Sequence, residues 1–251
     1  MTFDFGVKKL DIVILTALGV GGATLVGSLL GFTFRHLSHK MSDYILALAA
    51  GVMLASAYSG LILPSIEHGG VICCIIGIFA GAVTINMLDK AVPRLYGISE
   101  STDERRVRVL LFVSAIAIHN LPEGIAAGVG FGTGDFSDAM LIAGGIALHN
   151  IPEGMVIIAP MLATGMKPSR VFLIAAITGF FEVIGTFIGY FAVNISQAVL
   201  PFALAFAGGT MLYVISDEMI PETHADGNHN GSTYALLFGF CLMLLLGALM
   251  N

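Results

Sequence analysis

Long apolar stretches, one after another, constrain this chain more than any other feature. Eight can be drawn, at roughly 10–31, 43–64, 70–89, 107–130, 138–162, 170–192, 200–221 and 232–250. Each is near the ~20 residues that cross a hydrocarbon layer. A segment in lipid has only its own backbone to hydrogen-bond, so all eight are expected to be helices. The fold class expected is therefore an all-α integral membrane protein with eight transmembrane helices. Residues 1–251 form a single transmembrane domain, and no soluble domain or low-complexity tract interrupts it. Charged residues make up 11% of the chain, against about 25% in a soluble domain. The 11 Lys and Arg lie mostly between the helices, which argues against a basic groove for nucleic acid.

The positive residues also orient the chain. Arg35 and Lys40 follow the first segment. Lys90, Arg94, Arg105, Arg106 and Arg108 follow the third, and Lys167 and Arg170 follow the fifth. With these connections inside, both termini lie outside, and only Lys8 and Lys9 disagree. The longest connection, about 90–106, is then a cytoplasmic loop. Cys73, Cys74 and Cys241 all fall in apolar runs and read as small packing residues. The run after Lys8 and Lys9 is too long for the apolar core of a signal peptide and lacks a convincing cleavage site.

The chemistry lies in a motif that occurs twice, mid-membrane. Residues 118–124 read Ile-His-Asn-Leu-Pro-Glu-Gly, and residues 148–154 read Leu-His-Asn-Ile-Pro-Glu-Gly. Glu182 lies at the centre of the next segment. An ionisable group at that depth costs about 2.5–3.5 kcal/mol on insertion scales. No Lys or Arg lies at that level, so a mobile cation or protons must compensate. On a helix His119 and Glu123 are four apart and share a face, with Asn120 beside them. His149, Asn150 and Glu153 repeat the arrangement. Pro122 and Pro152 free the carbonyls of Ile118 and Leu148 and bend each helix. Such a mixed nitrogen and oxygen set suits a borderline divalent metal, Zn²⁺ or Fe²⁺. A lone His or Asn in a membrane helix can instead make an interhelical hydrogen bond, and a lone Pro can be a simple kink. Two copies plus Glu182 favour metal, in a polar site formed by helices 4, 5 and 6.

Small residues recur at four-residue spacing, as Gly27 and Gly31, Gly77 and Gly81, Gly124 and Gly128, and Gly185 and Gly189. They are expected to pack helices closely. Asp135, Asp138, Glu67 and His68 read as solvated ends of outer turns. His36 and His39 read as surface residues of the first inner loop, and His229 as part of a polar loop.

At these residues the chain strongly resembles the ZIP family (Zrt/Irt-like proteins), divalent-metal transporters of eight helices. The likeness is carried by His119–Gly124, His149–Gly154 and Glu182, and it extends over the whole chain. The short loops and the run Gly128-Val129-Gly130-Phe131-Gly132 resemble the prokaryotic-type, GufA-like branch. The resemblance implies a binuclear site: His119, Glu123, His149, Glu153 and Glu182 serving one metal, and Asn120, Asn150 and the shared glutamates the other. It implies a further ligand, Met53, from the second helix, and a metal-release stretch at Glu218, Glu222 and His224. It also implies a homodimer and an elevator-like movement of the helices that carry the site.

The function expected is uptake of a divalent cation into the cytosol across the cell membrane. Zn²⁺ comes first, and Cd²⁺, Fe²⁺, Mn²⁺ and Co²⁺ are other candidates. The partners expected are metal ions, the lipid bilayer and a second copy of the chain. Zn²⁺ is cargo here, and no catalytic cofactor or enzymatic activity is expected. The alternative from another class is an intramembrane zinc-dependent hydrolase, in which held zinc activates water. A metal sensor without flux is a third reading.

Overall fold

Lipid offers no hydrogen bonds to a backbone, and the described chain is helical almost throughout. The computed structural model describes residues 3–35, 38–95, 120–131, 136–195, 197–225, 227 and 229–250. In order, the helices are α1 (Phe3–Thr33), α2 (His39–Ser56), α3 (Leu63–Leu95), α4 (120–130), α5 (Phe136–Val156), α6 (Ile158–Ala163), α7 (Pro168–Ile195), α8 (Leu200–Val214), α9 (Ile220–His224) and α10 (His229–Met250). Among the described residues, six stretches are long and apolar enough to cross a membrane. Apolar side chains such as Leu15, Ile72, Phe79, Phe238 and Leu249 are exposed on the outside of the bundle, where lipid would meet them.

Several boundaries differ from those expected. Helix α1 begins at Phe3 rather than near 10, and α3 runs on to Leu95. The connection expected over 90–106 is therefore helical at its start, and the rest of it lies outside the described residues. Of the segment expected at 107–130, only 120–130 is described. The segment at 138–162 is two helices, α5 and α6, broken at Ile157.

The apolar stretch from His39 to Leu88 is 50 residues long, yet it is not one span. Gly70 has φ 76° and ψ 166°, a conformation that side-chain-bearing residues avoid. The chain folds back there. Cys74 Sγ lies 3.9 Å from the carbonyl of Ile62, twelve residues earlier, where a straight helix would hold them about 18 Å apart. A single glycine thus takes the place of the loop expected between the second and third segments.

Two π-helical turns, Ala57–Ile62 and Ile215–Met219, join α2 to α3 and α8 to α9. Each is followed, two residues past its end, by a proline: Pro64 and Pro221. Proline has no N–H for the carbonyl four residues back, and its ring crowds that carbonyl. A widened turn relieves both problems.

Glycine decides which helices touch. A Cβ at Gly124 or Gly128 would strike the carbonyl of Glu182 or Thr186, and one at Gly185 or Gly189 would strike that of Leu121 or Ile125. Backbones of α4 and α7 therefore meet directly. Gly27 and Gly154 do the same for α1 and α5, and Gly21 and Gly179 for α1 and α7. A second set joins α3 to α8 through Gly81 and Gly209, and α2 to α10 through Gly51 and Gly239. One group of four results, α1, α4, α5 and α7, with α3 and α8 as one further pair and α2 and α10 as another. Between α5 and α2 with its following π turn, the close approaches of Gly60 and Gly145 are to side chains. Gly60 faces Ile142, and Gly145 faces Ser56 and Met243.

Candidate metal centre

The close glycine contacts bring the polar motif residues together. Gly124 immediately follows Glu123 and rests on Glu182's own carbonyl, which fixes α4 against α7 at the level of the acids. Gly154 immediately follows Glu153 and rests on the carbonyl of Thr24, which fixes α5 against α1. Asn120, Glu123, His149, Asn150, Glu153 and Glu182 are all buried. Among the described residues, no Lys or Arg is buried with them.

Glu123, His149 and Glu153 each offer one ligand atom, and those atoms all lie within 4.8 Å of one another. His149 Nδ1 lies 3.0 Å from the carbonyl of Gly145. A carbonyl can only accept, so Nδ1 carries the hydrogen, and in the neutral ring Nε2 keeps its lone pair. Nε2 points at Glu123 Oε1, 2.9 Å away. Two lone pairs at that distance need a proton or a cation between them.

Glu182 stands beside this triad rather than in it. Its Oε1 accepts from Thr24 Oγ1 at 2.6 Å and from Asn120 Nδ2 at 2.7 Å. Its Oε2 accepts from Asn150 Nδ2 at 2.6 Å. One carboxylate thus bonds side chains from α1, α4 and α5. Three buried oxygens of the chamber have no donor: Asn120 Oδ1, Asn150 Oδ1 and Glu123 Oε2. Leaving such an acceptor unmet costs about 1–3 kcal/mol. Unmet buried acceptors of this kind fit a site for cations.

The other expected site residues are distributed as follows. His119 lies outside the described residues, as do Asp135, His36 and the side chain of Asp138. Met53 is fully buried on α2, within the main apolar cluster that also holds Ile142 and Ile146 of α5. Glu218 is half-buried and Glu222 exposed on the π turn and α9. His224 is held on both ring nitrogens, Nδ1 lying 2.8 Å from the carbonyl of Ile220 and Nε2 3.2 Å from Thr233 Oγ1. Its ring lies beside that of His229. Among the described residues, the triad is the one cluster of three or more metal-ligating groups close enough to share an ion. Glu67 and His68 are exposed, in keeping with a solvated end.

Sequence reasoning missed Thr24. A threonine in an apolar helix ordinarily turns its hydroxyl to its own backbone, as Thr186 does to the carbonyl of Glu182. The available signal was its setting: Gly21, Thr24, Gly27 and Ser28 lie on one narrow, small-residue face of α1.

Fold and site together describe an integral, multi-pass membrane protein with a carboxylate–imidazole chamber inside its helix bundle. The family model described as ZIP Zinc transporter matches residues 97–247. The chain is 34% identical to zinc transporter GufA of Myxococcus xanthus over 245 residues, 93% of this chain and 96% of that relative. It is 34% identical to zinc transporter ZIPB of Bordetella bronchiseptica over 236 residues, 89% of this chain and 76% of the relative. Zinc transporter ZupT of Chlorobaculum parvum is 32% identical over 248 residues, 89% and 91% of the two chains. The chain belongs to the ZIP family, and its likeness to GufA supports the GufA-like branch.

Proposed function

We propose that the protein carries divalent cations, Zn²⁺ first among them, from outside the cell membrane into the cytosol. The observation that supports this most is the triad of Glu123, His149 and Glu153, buried within 4.8 Å of one another. Acids placed there without basic partners lower the cost of bringing a 2+ charge into lipid. An inside-negative potential would add about 2.3 kcal/mol per charge per 100 mV to inward movement. In this reading eight helices cross the bilayer in a single domain over residues 1–251, with both termini outside and the connection after α3 in the cytosol. His119 and the triad hold the ion, with Met53 of α2 as a further ligand. The oxygens of Asn120 and Asn150 with the shared glutamates make a second subsite, and Glu182 supplies the third negative charge. Glu218, Glu222 and His224 receive the ion on its way out.

An elevator-like step has support in the packing. The group that holds the chamber is bound backbone to backbone, whereas Gly60 and Gly145 at its boundary with α2 and the following π turn meet side chains. In this reading that group moves as a body against α2, α3, α8 and α10, which are left to join a partner copy in a homodimer. Hydrolysis is the poorer reading, because the curated relatives above are named as transporters. Zn²⁺ uptake into proteoliposomes tests the proposal. Wild type should load Zn²⁺, and Glu123→Ala with His149→Ala should not. Equal uptake by both would remove the chamber from the pathway.

A further inference from the structure

We propose that Thr24 is a positioning residue for the cation: through Glu182 it aims the amide oxygens of Asn120 and Asn150 into the chamber. This rests on the transport reading above and adds a residue of α1 to the site.

An asparagine amide is planar, so its two ends point different ways. Asn120 and Asn150 both turn Nδ2 toward the Glu182 carboxylate, at 2.7 and 2.6 Å. The opposite flip would set amide oxygen against carboxylate oxygen, acceptor against acceptor. Glu182 therefore selects the orientation. With Nδ2 committed, each Oδ1 points away, and both are buried without a donor, as is Glu123 Oε2. Glu182 is itself held by the Thr24 hydroxyl at 2.6 Å, on the same Oε1 that Asn120 uses. Thr24 is 2% exposed, so its hydroxyl is shut off from bulk water. Asn150 Nδ2 also lies 3.4 Å from the carbonyl of Val20, one turn earlier on α1. Helix α1 thus contributes no ligand to the triad, yet it fixes both amides. Glu182 acts on the ion through its charge and through these amides, with its two oxygens already engaged by three donors.

The test uses the full chain, purified and reconstituted, with three readouts: Zn²⁺ uptake kinetics, the visible absorption of bound Co²⁺, and thermal stability in detergent. Thr24→Val keeps the shape and removes the hydroxyl. It should raise KM for Zn²⁺ about tenfold, as loss of one hydrogen bond to a charged group predicts, with kcat changed less. It should also shift the Co²⁺ spectrum, which reports ligand number and geometry. Thr24→Ser should restore both. Glu182→Gln offers one acceptor fewer, and its effect on KM should combine with that of Thr24→Val to less than the product of the two. A Thr24→Val protein with wild-type KM and spectrum overturns the proposal, and so does a Thr24→Ser protein that behaves like Thr24→Val. If Thr24→Val does not fold, Thr24→Ala and Thr24→Ser decide the matter by the same comparison. A wild-type protein that binds no Co²⁺ and moves no Zn²⁺ would instead sink the transport reading itself.

Discussion

His149 shows how much one side chain can be asked to do in a dry interior. Its Nδ1 is taken by the carbonyl of Gly145, so only Nε2 can reach an ion. With His149 as the proposed ligand, His149→Ala should weaken Zn²⁺ binding at least tenfold, since the ligand and the tautomer-fixing bond go together. Isothermal titration of the purified protein would show it, and unchanged affinity would remove His149 from the ligand set. Protons compete with metal for the imidazole and carboxylate lone pairs. Zn²⁺ affinity should therefore fall steadily as the medium is acidified from about pH 7.5 to about pH 5.5. A flat profile would mean that the bound ion sees no titrating ligand.

Between elements, close approach matters more than propensity. Gly124 lies on the carbonyl of Glu182, so even one methyl group there must push α4 away from α7. Gly124→Val should lower the melting temperature in detergent and also abolish uptake, because the separation opens at the chamber itself. Overpacking of this kind typically costs about 1–3 kcal/mol. Gly70 is a different case. A Cβ there has open space, but φ 76° with ψ 166° is strained for any residue that carries one. Gly70→Ala should destabilise by about 1–3 kcal/mol through backbone strain alone, leaving KM for Zn²⁺ near that of wild type. A loss of stability at Gly70 matched by loss of affinity would show that the turn and the chamber are coupled.

At the scale of the molecule, the group formed by α1, α4, α5 and α7 makes a proposed movement testable. A Cβ at Gly60 would lie 3.7 Å from that of Ile142 across the group boundary, within the range a disulfide bridges. Gly130 of α4 also faces Ile142, but within the group that holds the chamber, with a would-be Cβ 3.6 Å from Ile142 Cβ. Oxidised Gly60→Cys with Ile142→Cys should bind Zn²⁺ and stop transporting it until reduced. Gly130→Cys with Ile142→Cys should transport in both redox states. Flux through the first crosslinked pair would argue for a fixed pore rather than a moving carrier.

The apolar stretches determined helices by themselves, because a chain in lipid has no other way to satisfy its backbone. The doubled motif with Glu182 likewise marked where acids and an imidazole are buried together, since helical spacing alone sets His149, Asn150 and Glu153 on neighbouring faces. Local pattern could not tell that Gly70 turns the chain in one residue, nor that α3 continues to Leu95, because a reversed pair and a long helix have the same composition. It also could not tell what meets Glu182. Thr24 lies 158 positions away in sequence, and only the packing of α1 on α5 and α7 brings its hydroxyl to that carboxylate. Contacts of that range depend on which glycine faces which carbonyl, and that is settled only when the helices are assembled.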